Sequence, residues 1–381
     1  MRGKHELNPN ILGLMNLISI VAVARGGGKT VRFNELFIVP IAFLCYYLVF
    51  MSASDNVSSD YVMATSATSL FFTASDVILL RRFQPELRMI GQKKPSTEMS
   101  FVERLKWALQ LQLTPRGINW AHEPTEHLAP RPTETSRTRF IISKLLSAAY
   151  YFIYFDILSI IIRTNPCFGT GGPSFTEFGW IWRTTIWLHP CLVYAWLSMT
   201  YDLASIVGVG LGIWEPRDWP RLFGDVRDAY TIRKCWGRVW HQLLRKFLTG
   251  HMNFFARALH LPRGTFSTYF KLFGSFFISG LTHYGAEYTL LQNWSGKAMW
   301  FFPLQAAAIT FEDAVIGIAK RLGFRENFFF RFVGYVWVFV WFAYCLPPWL
   351  DPTFHAGTTD MGVNVSLIMG IWKGDWTPKR Q

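Results

Sequence analysis

The sequence predicts an all-α protein, a polytopic transmembrane helix bundle with further amphipathic helices at its cytosolic surface. Three observations lead there. Hydrophobic residues make up 51% of the 381 and charged ones only 17%, against roughly 25% charged in ordinary soluble domains. The apolar residues fall in blocks nearly free of charge, at 37–51, 61–80, 140–162, 184–213, 266–290, 298–318 and 328–350, with a shorter one at 11–24. The segments between them alternate between basic and near-neutral.

Several blocks reach the ~20 residues a helix needs to cross the hydrocarbon core. In lipid each backbone amide has to be satisfied within its own segment, so such blocks are expected to be helices. A barrel would show alternating hydrophobicity instead. About eight crossings follow. The stretch 11–24 reads as a short first membrane helix rather than a cleaved signal, because RGGGKT follows it with no small-residue cleavage site. Loops 25–36, 81–139, 214–265 and 320–331 carry the bases, including Lys29, Arg32, Arg81 and Arg82. The positive-inside rule assigns them to the cytosol and the N-terminus to the lumen. The sequons at Asn56, Asn293 and Asn364 all fall on the lumenal side of this assignment. Residues 100–113 and 227–248 combine bases with apolar and aromatic side chains and read as interfacial amphipathic helices. The Pro-rich stretch 114–132 is the one evident long loop. No internal repeat is visible, so the chain reads as a single integral-membrane domain over 1–381.

Composition also excludes some functions. The net charge of +13 is accounted for by cytosolic loops, without an Arg-rich arm or aromatic platform for nucleic acid. The five cysteines are odd in number and form no C-x-x-C, so neither a zinc site nor a disulfide framework is suggested. GGGKT at 26–30 fails as a phosphate loop, because Val23 stands where that motif needs its first glycine. His355 and Asp360 have an H-x-x-x-x-D spacing used by one class of glycerolipid acyltransferases, but in a lumenal Gly- and Thr-rich loop, where chance explains it.

Two histidines are more informative. His283 lies inside the apolar block 266–290, with Glu287 four residues on and Ser279 one turn before. An ionisable side chain at membrane depth is costly and tends to face a bundle interior or a wet cavity. A carboxylate on the same helical face would orient the imidazole and favour a general base. A His–Glu pair that only ties helices together is an equally good reading. His241 sits in RKCWGRVWHQLLRKF, residues 233–247. That stretch is either an interfacial helix with Trp anchors, or a basic, aromatic floor suited to a phosphorylated, nucleotide-bearing ligand.

The stretch DWPRLFGDVRDAYTIRKCWGRVWHQLLRKF, 218–247, resembles the W-P-x-L-F-G and R-x-x-W-G-R-x-W-H-Q elements of fungal wax synthase-like acyltransferases, relatives of the membrane-bound O-acyltransferase superfamily. TPRGINW at 114–120 is similar to that family's R-G-I-G-W element, with Asn119 in place of its second glycine, and SGLTHYGAE resembles the segment that supplies its catalytic histidine. The resemblance covers roughly 80–350 as a catalytic core. It implies transfer of an acyl group from acyl-CoA to a hydroxyl, in a membrane of the endoplasmic reticulum with the basic motif cytosolic, and needs no further cofactor. Under it His283 is the general base, and His241 polarises the thioester or holds substrate. Trp236, Arg238, Trp240, Gln242 and Arg245 bind the acyl donor. It further implies acetylation of a hydrophobic secondary metabolite such as a terpenoid, with long-chain wax ester synthesis as the alternative. A proton-coupled transporter using His283 and Glu287 is the rival from another class, and would predict polar residues on several helices and an internal repeat.

Overall fold

The computed structural model describes residues 4–26, 33–80, 87–359 and 365–377. Most of GGGKT, the bases Lys29, Arg32, Arg81 and Arg82, Asp360, and the Asn364 sequon therefore lie outside the described residues.

Each apolar block is helical. In chain order the helices are α1 (Asn10–Gly26), α2 (Ile38–Tyr46), α3 (Val57–Ile78), α4 (Phe101–Gln112), α5 (Arg137–Thr164), α6 (Trp180–Thr184) and α7 (Leu188–Gly210). There follow α8 (Ile232–Lys234), α9 (Arg245–Ala258), α10 (Thr265–Leu291), α11 (Ala298–Arg321), α12 (Phe328–His355) and α13 (Leu367–Lys373). The strands β1 (His5–Glu6) and β2 (Ser52–Ala53) form one short parallel pair, His5 opposite Ser52. Five of the described stretches are long and apolar enough to cross a membrane: Asn34–Met51, Arg137–Thr164, Trp180–Gly210, Ala298–Arg321 and Phe328–His355. This is fewer than the eight expected. α1 is apolar but shorter, and α3 and α10 have the length but carry more hydroxyl-bearing side chains.

The chain divides into two compact units, Met1–Pro124 with Leu243–Ala307, and Thr125–Gln242 with Ala308–Gln381. In the first, α1 packs on α3 and α4, while α10 runs along α3 and α9. Ala64, Ala67 and Ala74 are fully buried on α3, as expected where small residues let helices approach closely. Asn56 caps α3 by accepting from the Ser59 amide at 3.0 Å. Ser100 and Glu103 form a capping box on α4, and Lys94, followed by the Ser100 amide, holds the Glu103 carboxyl down to about 2. α9 is anchored to α3 through Lys246 on the buried Asp76 and through His251, whose Nε2 lies 2.9 Å from Ser75 Oγ.

In the second unit α5 lies along α7. Lys144 Nζ is 2.6 Å from Asp202 Oδ1, and Ser147 Oγ donates to Asp202 Oδ2 at 2.6 Å. The amphipathic helix expected over 227–248 is broken. α8 runs into a π-helical turn at Cys235–Val239, Trp240 is extended, and regular helix resumes only with α9. The cause is tertiary, as the contacts of Gly224 and Gln242 described below make clear.

The Lys144–Asp202 pair gives a direct test of packing in this unit. Lys144→Met leaves a buried carboxylate without its cation, which costs about 3–5 kcal/mol. Thermal unfolding of the detergent-solubilised protein should show that loss, and Lys144→Met with Asp202→Leu should recover most of it. A single variant as stable as the wild type would show the pair contributes nothing.

Candidate active site

His283 sits on α10 in the first unit, partly buried. Its ring stacks on Phe302 at 4.8 Å between centroids and 12° between planes, and its Nδ1 lies 3.2 Å from the Tyr61 hydroxyl of α3. Two faces of the imidazole are thus fixed by groups from other helices. If Nδ1–H donates to the Tyr61 oxygen, Nε2 is the ring nitrogen that accepts. The sequence left Glu287 either orienting His283 or only tying helices together. The structure gives that carboxylate a backbone partner, since both of its oxygens accept the Ala298 amide at 3.1 Å and so close the start of α11. Glu287 is fully buried, and Gly296 makes this possible, because a Cβ there would lie 2.2 Å from Glu287 Oε2. Ser279 is buried one turn before His283.

The motif residues Trp236, Arg238, Trp240, His241 and Gln242 belong to the second unit, and Arg245 to the first. Their local geometry explains the two motif strings. Phe223 packs against Trp240 at 5.3 Å and His241 at 5.9 Å. Gly224 has to be glycine, since a Cβ would stand 2.1 Å from the Arg238 carbonyl oxygen. Its own amide donates to the Val239 carbonyl at 2.9 Å. The buried Gln242 side chain donates to the carbonyls of Trp236 at 3.0 Å and Trp240 at 2.6 Å. It thereby gathers backbone acceptors that a regular helix would have satisfied. Trp236 meets Trp240 edge-on at 6.3 Å and Phe342 of α12 at 5.9 Å. Arg238 is exposed, and burial lowers the Arg245 guanidinium below its ordinary value. Cys235 invites a covalent reading beside these residues. Burial, and behind it the Glu312 carboxylate, push its thiol up to about 12, which disfavours the thiolate a nucleophile needs.

Residues 219–304, which hold both motif strings and α10, match the model of the membrane bound O-acyl transferase family. The acetyltransferase eriL of Hericium erinaceus is 35% identical over 91% of this chain and 91% of its own. The acetyltransferase ple2 of Rhodocybe pseudopiperita is 32% identical over 97% of each. The chain belongs to the membrane bound O-acyl transferase family. The acetyltransferase sirH of Emericella nidulans is also similar, at 32% identity over 74% of this chain and 72% of its own. The protein is thus a multi-pass membrane acyltransferase, and the transporter reading falls away.

Within the family segment the structure accounts for Phe223, Gly224, Gln242, Glu287 and Phe302. Sequence reading missed Tyr61, which lies 222 positions from His283 and carries no local signal. It also missed Glu312, although a carboxylate inside an apolar block was a signal.

Two substitutions test this geometry. Tyr61→Phe removes one hydrogen bond at His283, so acyl transfer should fall about three- to tenfold with little change in thermal stability; an unchanged kcat would remove Tyr61 from the site. Gly224→Ala should displace the Trp236–Trp240 segment and lower both stability and activity, measured as the unfolding midpoint and the initial rate. Wild-type values for both would show that the segment has room for the methyl group.

Proposed function

We propose that this acyltransferase moves an acetyl group from acetyl-CoA to a hydroxyl of a hydrophobic secondary metabolite, such as a terpenoid alcohol, in the endoplasmic reticulum membrane with its basic loops cytosolic. The observation that carries the reading is His283, held between Phe302 and Tyr61 on a helix of the family segment. The relatives' names, each an acetyltransferase, support the short acyl group. The resemblance of residues 218–247 to the fungal branch supports the acceptor class.

The chemistry follows from the residues. His283 Nε2 takes the proton of the alcohol as its oxygen attacks the thioester carbonyl. The C–S bond breaks, and the proton on Nε2 passes to the departing CoA sulfur, leaving ester and free thiol. Proton transfer to Nε2 needs Nδ1 to carry its own hydrogen, and the Tyr61 oxygen is placed to accept it. His241 has the role of polarising the thioester carbonyl or holding substrate, with Trp236, Arg238, Trp240, Gln242 and Arg245 holding the donor. Transfer is direct, without an acyl-enzyme.

Membranes carrying wild type, His283→Ala or His241→Ala would be offered radiolabelled acetyl-CoA or a long-chain acyl-CoA with a panel of terpenoid and fatty alcohols. Loss of ester by about 10²–10⁴-fold in His283→Ala at equal protein level is expected, with acetyl-CoA preferred. Equal activity would remove His283 as the base. A preference for long-chain donor and fatty alcohol would replace acetylation by wax ester synthesis.

A further inference from the structure

Glu312 is a carboxylate only 6% exposed, on a helix long and apolar enough to cross a membrane. A charge in such a place is costly unless it is fully engaged. Two of its three donors belong to the motif segment. Glu312 Oε1 accepts the Ile232 amide at 2.8 Å and Oε2 the Arg233 amide at 3.1 Å. Trp337 of α12 donates its indole N–H to Oε1 at 3.2 Å. The next residue, Asp313, takes the Arg233 guanidinium in a two-pronged pair, with Nε to Oδ1 at 2.9 Å and Nη2 to Oδ2. We propose that Glu312 and Asp313 are positioning residues for the acyl donor: they clamp the start of segment 232–242 and so set where Trp236, Arg238 and Trp240 stand. This rests on that segment binding the donor.

The start of α8 is where such a clamp is needed. A helix leaves its first amides without intrahelical partners. Here Ile232 and Arg233 give theirs to Glu312, Lys234 gives its to Thr231 Oγ1 at 3.0 Å, and Cys235 reaches the Thr231 carbonyl at 2.8 Å. All of these donors are taken by the protein itself. The helix start is therefore closed to the donor's phosphates, unlike the open helix N-termini that bind anions, and recognition falls to the side chains beyond it. Those side chains stand on a π-helical turn, closed by Trp240 N–H to the Cys235 carbonyl at 2.8 Å. Such turns are rare and depend on their surroundings. Glu312 and Asp313 supply the surroundings at one end, as Gln242 does at the other.

The test needs no acceptor alcohol. Equilibrium binding of radiolabelled acetyl-CoA would be measured on the purified full-length protein, for wild type, Glu312→Gln, Glu312→Leu, Asp313→Asn, Trp236→Ala and, as a stability-matched control, Lys144→Met. Glu312→Gln keeps one acceptor oxygen and should weaken binding by about threefold, Glu312→Leu by about tenfold or more. Lys144→Met should bind as wild type in its folded fraction. In parallel, maleimide labelling of Cys235, against a Cys235→Ser background, should speed up more in Glu312→Leu than in Glu312→Gln, since both remove the charge that raises the thiol and only Glu312→Leu removes both acceptors of the clamp. Weakened binding in Trp236→Ala with wild-type binding and labelling in every Glu312 and Asp313 variant would overturn the positioning role and leave the donor segment standing. Wild-type binding in Trp236→Ala as well, or no binding by the wild type, would overturn both.

Discussion

A carboxylate buried among apolar helices has to find donors, because water is not there to supply them, and much of this structure is organised by that requirement. Asp76 holds α9 to α3 through Lys246, and Asp202 joins α5 to α7 through Lys144 and Ser147. Glu287 closes the start of α11, and Glu312 closes the start of α8. In the first two the partner is a cation, and the result is a helix–helix staple. In the last two the partners are backbone amides at a helix start, one for Glu287 and two for Glu312. The apolar surface of a membrane helix gives little directional information. These few polar points fix where the helices meet.

The same requirement separates holding from chemistry. Glu287 follows His283 at helical spacing, which made it the natural orienting partner. Its oxygens accept the Ala298 amide, and the group at His283 Nδ1 is a phenol. A neutral phenol suits a base in apolar surroundings. It can accept from Nδ1–H without adding a buried charge, and Phe302 fixes the ring plane by stacking rather than by a further hydrogen bond.

What could be read from the sequence follows from how far each signal reaches. The apolar blocks became helices because apolarity is a property of the segment itself, and α4 followed from the amphipathic pattern within 100–113. The count of crossings was less legible, since α3 and α10 are long but rich in hydroxyl-bearing side chains. Residues 227–248 misled for a tertiary reason. Their bases and aromatics have an amphipathic pattern, yet Gly224 brings its own strand of backbone against Arg238 and Gln242 draws two carbonyls out of the helical ladder. Tyr61 was invisible because nothing near it marks it as the neighbour of a histidine.

The family match over 219–304 can be compared with where the contacts fall. Several are internal to that stretch: Phe223 on Trp240 and His241, Gly224 on Arg238, Glu287 on Ala298, Phe302 on His283. The first two sets lie in the second unit and the last two in the first. The remaining supports come from outside it. Tyr61 lies on α3, Glu312 and Asp313 on the later part of α11, and Phe342 on α12. The residues that meet the stretch from outside thus come from helices on both sides of it in sequence. Under the proposed function, substitutions at these outside residues shift how the donor and the base are held while leaving the motif residues themselves intact. Differences in specificity between this chain and its relatives have room to arise there without any change to the motifs.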